Sequence, residues 1–176
     1  SRACGDQIVN MWKDNFDFPV ITTRSANVYG PGQHLYRIIP KAIFSVLNGR
    51  KIPLHGGGLS IRSFVHCEDI GSAIDLILEK GKIGETYHIS PRKKISILDL
   101  VKLITSELKV DFGDATEISQ DRRGKDQYYL LDSGKICHLG WKPTVKLNEG
   151  IKECISWVKK NYSCIPEGAL KYVHMK

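Results

Sequence analysis

Several arginines stand singly along the chain, apart from its dense basic cluster at residues 92–94. They are Arg24, Arg37 and Arg62, and the adjacent Arg122 and Arg123 also lie outside that cluster. A planar guanidinium can form two parallel hydrogen bonds to paired anionic oxygens, so a convergence of these side chains would suit a small anionic ligand such as a diphosphate. The alternative for each arginine is an ion pair on the protein surface.

A polar segment after a predicted strand is the second candidate for chemistry. The apolar run at residues 19–21 continues into Thr22-Thr23 and predicts a buried strand. A polar elbow at residues 24–27 and a Gly/Pro turn at residues 29–32 follow it. Ligands of open α/β sheets bind just beyond the carboxyl ends of the strands. The amide of Asn27 offers donors and an acceptor there, which suits phosphate oxygens or sugar hydroxyls; the alternative is a turn-forming Asn.

The rest of the chain alternates helices with short strands, which predicts an α/β fold with a mixed sheet. Apolar spacings predict helices at residues 3–16, 40–48, 68–80, 96–108 and 147–158. Strands are expected at residues 52–55, 61–66 and 86–89, with a loop and a further strand within 109–118. Glu68 and Asp69 could be mistaken for a catalytic acid/base pair. We interpret them as helix-start residues, because carboxylates are stabilised at the positive end of a helix.

The amino-acid composition limits the classes of protein to which this chain could belong. The 176 residues are 41% hydrophobic and 26% charged, which predicts one globular domain with a sizeable core and no membrane span. The five cysteines are scattered singly and no histidine lies at zinc-finger spacing, so we expect reduced thiols, a cytoplasmic location and no metal site. The net charge of +7 forms no single stripe, so a solvated surface is preferred to a nucleic-acid interface.

Five segments carry motifs whose order and spacing matter more than any one of them. They read Ile-Thr-Thr-Arg-Ser-Ala-Asn-Val-Tyr-Gly-Pro at 21–31, Arg-Ile-Ile-Pro at 37–40, Ile-Pro-Leu-His-Gly-Gly-Gly and Ile-Arg-Ser-Phe-Val-His-Cys-Glu-Asp within 52–69, Asp-Arg-Arg-Gly-Lys-Asp at 121–126 and Leu-Gly-Trp-Lys-Pro at 139–143. Together they resemble the sugar-nucleotide branch of the extended short-chain dehydrogenases/reductases, the NAD-dependent epimerase/dehydratase family. The resemblance is strongest to the dTDP-glucose 4,6-dehydratases and covers roughly residues 1–162.

The resemblance implies an activity. In the similar enzymes NAD oxidises the 4-hydroxyl of the sugar, water is eliminated across the fifth and sixth carbons, and the hydride returns to the sixth carbon. It also implies a nucleoside-diphosphate sugar as substrate and a homodimer when intact, with no nucleic-acid or membrane partner. The catalytic Tyr would fall upstream of Ser1, and Arg2 stands at the position of the family's catalytic Lys. The sequence contains no Gly-x-Gly-x-x-Gly, so the NAD-binding loop is missing as well.

Site residues follow from the same resemblance. Ser25 and Ala26 would approach the nicotinamide of NAD. The sugar nucleotide would be bound by Asn27, Arg37, Pro53, His55, Arg62, Arg122 and Lys125. Of these, Arg62 and Arg122 would reach the diphosphate or the ribose.

Three positions depart from the family pattern. Tyr36 replaces a Glu before Arg37, His55 stands where Tyr is frequent, and Lys125 replaces a His. Pro53 and His55 would border the base, and a flat ring at residue 55 could stack on a pyrimidine. The change at residue 55 therefore leaves the choice of base open.

The implied organisation is the C-terminal half of a Rossmann-type sugar-nucleotide dehydratase, inactive by itself. Residues 1–30 would end the cofactor-binding domain, 31–162 would form the sugar-nucleotide-binding region, and 163–176 a C-terminal tail. A 4-epimerase or a decarboxylase of the same superfamily stays open, because the residues that would separate them lie upstream. A non-catalytic nucleotide-sugar-binding module also stays open because of Arg2, and nucleic-acid binding comes last.

Overall fold

The structure is a computed structural model, and it describes residues 2–121, 124, 126–166 and 170. The helices of this part are α1 (Arg2–Phe16), α2 (Ile38–Leu47), α3 (Cys67–Lys80), α4 (Ile97–Leu108), α5 (Phe112–Ala115), α6 (Gly134–His138) and α7 (Leu147–Lys160). The strands are β1 (Thr22–Ser25), β2 (Asn27–Tyr29), β3 (Ile52–His55), β4 (Ile61–Arg62), β5 (Phe64–His66), β6 (Thr86–Ile89), β7 (Ile95–Ser96), β8 (Thr116–Ser119) and β9 (Tyr128–Tyr129). Short 3-10 turns lie at Gly56–Gly58 and Tyr162–Cys164.

Parallel strand pairs form the frame of the fold. β1 pairs with β6, β2 with β5, and β3 with β8, all in parallel. β4 pairs with β9 in parallel and with β7 in antiparallel orientation. Parallel pairs need a crossover connection, and the connections here contain helices, as the one from β2 to its partner β5 contains α2. The mixed strand pairing agrees with the expected α/β fold.

Two apolar cores lie against this frame. The first joins α2, α4 and α7 and includes the fully buried Ile39, Ile43, Ile104 and Ile151. The second joins α3 and α6 to β5 and β6 and includes Val65, Ala73, Ile89 and Ile136. Each fully buried Ile or Val contributes about 1.5–3 kcal/mol relative to an exposed one, so these helices are fixed against the strands that carry the site.

Asp69 ties two distant segments of the chain together. It lies in the first turn of α3, as predicted, but it is only 1% exposed. Its carboxylate accepts hydrogen bonds from Thr144 N (2.7 Å), Thr144 Oγ1 (2.8 Å) and Val145 N (3.3 Å). Its carbonyl accepts a bond from Trp141 Nε1 at 3.1 Å. The interpretation as a helix-start residue is therefore incomplete, because Asp69 also anchors the Leu-Gly-Trp-Lys-Pro segment.

The first strand differs from its prediction. We expected a strand at 19–23 with a polar elbow after it, but β1 spans Thr22–Ser25 and takes in half of that elbow. The reason is its partner: Thr22 to Ser25 pair in register with β6, so strand pairing extends past the apolar run. Short elements with little apolar periodicity were not predicted; they are α5, α6, β2, β7 and β9.

One face of α1 is apolar and exposed. Trp12 packs on Phe16 and Phe18, with ring centroids 5.1 and 6.2 Å away, yet Phe16 is 65% exposed. Ile8 and Met11 on the same helix are about half exposed. No helix in the described ranges is both long and apolar enough to cross a bilayer.

Candidate functional site

Just after β1 the backbone changes its strand partner, and this position is called the switch point below. Ala26 N donates to Ile89 O of β6 at 2.9 Å, and Asn27 N donates to Ser63 O beside β5 at 3.1 Å. The backbone therefore leaves one neighbour and joins another within two residues. In open α/β sheets ligands bind in the crevice beyond the carboxyl ends of the strands, and β1 ends here at Ser25.

A cleft of about 680 Å³ opens at this switch point. Its lining includes Ser25, Ala26, Asn27, Arg37, Pro53, His55 and Arg62. These are all the cofactor- and substrate-binding residues predicted from the sequence that fall within the described part, and they come from the ends of different elements. Their roles in binding remain predictions.

The guanidinium of Arg62 is fixed by backbone carbonyls. Nη2 donates to Asp126 O at 2.6 Å, while Nη1 donates to Ile61 O at 2.8 Å and Gln127 O at 3.3 Å. These acceptors are neutral, so they orient the guanidinium without cancelling its charge. Arg62 is half-buried, which makes its interaction with an anion stronger than that of a fully solvated cation.

Arg37 also lines the cleft and stands at the N-terminal boundary of α2. Its guanidinium lies 5.3 Å from the centroid of the Tyr36 ring, and that ring stacks on His34 at 5.4 Å. Lys41 follows one turn later on α2 and also lines the cleft. The i, i+4 spacing places both cations on the same side of the helix.

His55 is held at the end of β3. Ser119 Oγ lies 2.9 Å and the Gln120 carbonyl oxygen 3.2 Å from its Nδ1, so the ring plane is fixed against β8. The 3-10 turn that follows needs glycine, since Gly56 has φ +58° and an added Cβ would meet the Asp121 carboxylate at 2.5 Å. The glycine thereby lets the Asp121 side chain approach the end of β3.

The other predicted residues are placed differently. Arg24 lies outside the cleft and forms an exposed ion pair with Asp6 of α1 at 2.5 Å, which matches the alternative interpretation for that arginine. Arg2 begins α1, and its side chain lies outside the described part. Arg122 and Lys125, like Arg123, also lie outside the described residues.

Sequence reasoning missed several residues that line the cleft: Gln33, Tyr36, Lys41, Asp126 and Tyr129. Lys41 could have been found from its spacing to Arg37. Tyr129 could not, because it reaches the cleft through the pairing of β9 with β4, where it stands opposite Arg62. Asn27 donates through Nδ2 to Ser63 O at 3.2 Å, so one amide hydrogen serves the strand frame.

Two buried groups of the first apolar core have raised pKa values. Burial raises the pKa of the Tyr29 hydroxyl well above its usual range, and Cys154, Asp69 and Glu153 add to the shift. Burial also raises the pKa of the Cys154 thiol to about 12, with Cys67 and Glu153 as further causes. Both groups are therefore neutral at neutral pH and support the site as packing groups.

Comparison with known proteins identifies the family. The family model described as GDP-mannose 4,6 dehydratase matches residues 1–154. The chain belongs to this family. A dTDP-D-glucose 4,6-dehydratase from Bos taurus is 36% identical over 167 residues, covering 92% of this chain and 47% of that protein. The dTDP-glucose 4,6-dehydratase of Salmonella typhimurium is 34% identical over 168 residues, covering 92% and 46%.

A solved structure of a family member shows the same fold. The dTDP-glucose 4,6-dehydratase from Streptomyces venezuelae, determined with NAD bound, superposes with a TM-score of 0.87 at 32% identity, covering 92% of this chain and 50% of that one. The chain thus spans about half the length of these relatives. The predicted resemblance to dTDP-glucose 4,6-dehydratases and the α/β fold class are confirmed.

Proposed function

We propose that this chain is the substrate-binding half of an NAD-dependent nucleoside-diphosphate-sugar 4,6-dehydratase of the dTDP-glucose type. The observation that carries the proposal is the convergence of Asn27, Arg37 and Arg62 with Pro53 and His55 in one cleft at the switch point. The named activities of the relatives support the same chemistry.

The cleft suggests a division of labour. Arg62, with Arg37 and Lys41 as further cations, would hold the diphosphate, because charge-assisted hydrogen bonds to phosphate are strong and directional. Pro53 and His55 would border the base, and Asn27 would bond to the sugar nucleotide. Arg122 and Lys125 keep the substrate-binding roles that the resemblance implies.

NAD, when bound, would accept and return the hydride of the reaction. Of this chain, Ser25 and Ala26 would border its nicotinamide ring. Both side chains are small and both line the cleft, which fits a flat ring lying against the end of β1. In this proposal residues 1–30 end the cofactor domain, 31–162 bind the sugar nucleotide and 163–176 form a tail, within a cytoplasmic homodimer.

The chain by itself is proposed to bind without turnover, because the glycine-rich NAD loop is not among its residues. Incubation with NAD and dTDP-glucose should give no absorbance of the 4-keto product in alkali. A turnover rate above that of a heat-denatured control would contradict this part of the proposal.

Calorimetric titration tests the binding step. The chain should bind dTDP or UDP at least tenfold more tightly than thymidine, since the nucleoside lacks the diphosphate. Arg62→Met should weaken diphosphate binding by roughly 10- to 100-fold, the equivalent of a charge-assisted hydrogen bond of about 1.5–3 kcal/mol. Arg24→Met removes an arginine outside the cleft and should leave the affinity unchanged. Equal weak heats from dTDP, UDP and thymidine would overturn the proposal.

A further inference from the structure

A buried imidazole lacks a hydrogen-bond partner on one side. His66 is 1% exposed, and its Nε2 makes no hydrogen bond with the described residues. Glu153 Oε2 lies 3.5 Å from Nε2, close enough for an ionic contact but beyond the usual N–H···O range of 2.7–3.2 Å. An unpaired buried polar atom in a native fold calls for a ligand, an ion or strain as its explanation.

Two carboxylates face this imidazole. Ligand atoms from His66, Glu68 and Glu153 all lie within 4.8 Å of one another. Tetrahedral coordination with metal–ligand bonds of about 2.0–2.1 Å places neighbouring ligand atoms roughly 3.3–3.4 Å apart. The 3.5 Å between His66 Nε2 and Glu153 Oε2 is therefore close to the separation of two ligand atoms that bind one ion. Glu68 and Glu153 are both exposed, so their side chains can close the remaining distance and leave positions for water.

A thiol lies on the same side of the imidazole. A Cβ added to Gly30 would collide with Cys67 Sγ and stand 3.5 Å from His66 Nε2, so both atoms face this glycine. The glycine leaves open the space beside Nε2 that a side chain would fill. Cys67 itself is not among the residues whose ligand atoms all lie within 4.8 Å of one another.

We propose that His66, Glu68 and Glu153 form a binding site for a divalent transition-metal ion of the Zn²⁺ class. An imidazole with carboxylates suits Zn²⁺, whereas Mg²⁺ and Ca²⁺ prefer oxygen ligands alone. Binding through Nε2 moves the ring proton to Nδ1 and gives up the long 3.4 Å contact in which Nδ1 accepts from Glu68 N. The ion would join the start of α3 to α7. The spacing of histidines and cysteines gave no sign of this site, because Glu153 lies far from His66 along the chain.

The test uses the chelator-treated chain, ZnCl₂ calorimetry and thermal unfolding. We expect one Zn²⁺ per chain and a higher Tm, with no change on adding MgCl₂. Glu153→Gln and Glu68→Gln should each weaken Zn²⁺ binding at least tenfold. Glu149→Gln is the matched control: it lies one turn earlier on α7, is exposed and pairs with Lys146, so the affinity should stay within twofold.

Two results would overturn the proposal. One is the absence of Zn²⁺ binding by the unmodified chain. The other is equal Zn²⁺ affinity in Glu153→Gln and Glu149→Gln, which would assign the bound ion to scattered surface thiols and histidines. Both glutamates are exposed, so neither outcome depends on whether a substitution of the buried His66 still folds.

Discussion

At the scale of single residues, the buried carboxylate of Asp69 should matter most for stability. Asp69→Ala removes the acceptor of three hydrogen bonds and leaves Thr144 and Val145 with unpaired donors. We expect the free energy of unfolding to fall by about 3 kcal/mol, since hydrogen bonds to a charged group are worth roughly 1.5–3 kcal/mol and the variant loses three of them. Urea unfolding measures the change.

The control for this prediction lies on the same helix. Asp75 is exposed on α3, so Asp75→Ala should change the free energy of unfolding by less than about 0.5 kcal/mol. Similar losses for both variants would contradict the prediction, because Asp75 has none of the hydrogen bonds that tie Asp69 to Thr144 and Val145.

The buried thiol of Cys154 predicts a dependence of stability on alkaline pH. Its pKa is about 12 in the folded chain and 9.0 in the reference state. Below pH 9 both states keep the proton, so Cys154 adds no slope. Between pH 9 and 12 only the unfolded state ionises, so the free energy of unfolding should fall by up to about 1.4 kcal/mol per pH unit.

Cys154→Ala isolates that contribution. The variant starts less stable, because a buried group is lost, but its stability should fall less steeply above pH 9 than that of the unmodified chain. Cys164→Ala, at an exposed thiol, should keep the original slope. Parallel alkaline slopes for all three proteins, measured by urea unfolding at a series of pH values, would contradict the prediction.

At the scale of elements, the glycine turn after β3 shows how backbone geometry positions the cleft. Gly58 has φ +72°, and an added Cβ would lie 2.9 Å from the backbone nitrogen of Leu98. Gly58→Ala should therefore cost about 1–3 kcal/mol of unfolding free energy. Gly71→Ala, in α3 with nothing within 4 Å of the new Cβ, should gain about 0.4–1 kcal/mol. Thermal unfolding of both variants should give Tm shifts of opposite sign; a shared direction would contradict the steric explanation.

The same scale shows what the sequence could and could not predict. Long periodic helices were found within a few residues; α4 is one example, and Ser96 caps it by accepting from Asp99 N at 2.9 Å as its spacing predicts. The end of β1 was misplaced, because strand pairing with β6 rather than local apolar content decides where it stops. Short elements such as β9 depend on a partner strand, and no local sequence pattern predicts them.

Some residues of the candidate site could be predicted from the sequence, and others could not. Asn27, Arg62 and His55 could be named from motifs, since their types and order carry the resemblance. Tyr129 and the group formed by His66, Glu68 and Glu153 could not, because they depend on contacts between segments that are distant in sequence. Sequence patterns thus identified the residues at strand ends and missed the groups that tertiary pairing brings to them.

At the scale of the whole molecule, the apolar face of α1 needs a covering surface. Ile8, Met11, Trp12 and Phe16 are 49–65% exposed, which is more apolar surface on one helix than an isolated soluble chain usually leaves bare. We expect this chain to self-associate through α1. The apparent mass from light scattering should rise with concentration, and an apolar dye should bind.

A charged substitution on that face tests where the association occurs. Met11→Lys places a charge in the centre of the face and should shift the concentration of half-association upward at least tenfold. Leu78→Lys is the matched control, because Leu78 is 77% exposed on a different helix, α3, and its change should leave association unaltered. Equal effects from the two variants would assign the association to general surface charge. A monomer at every concentration, without dye binding, would show instead that Trp12 packing on Phe16 and Phe18 already satisfies α1, and that this chain is a self-sufficient folding unit.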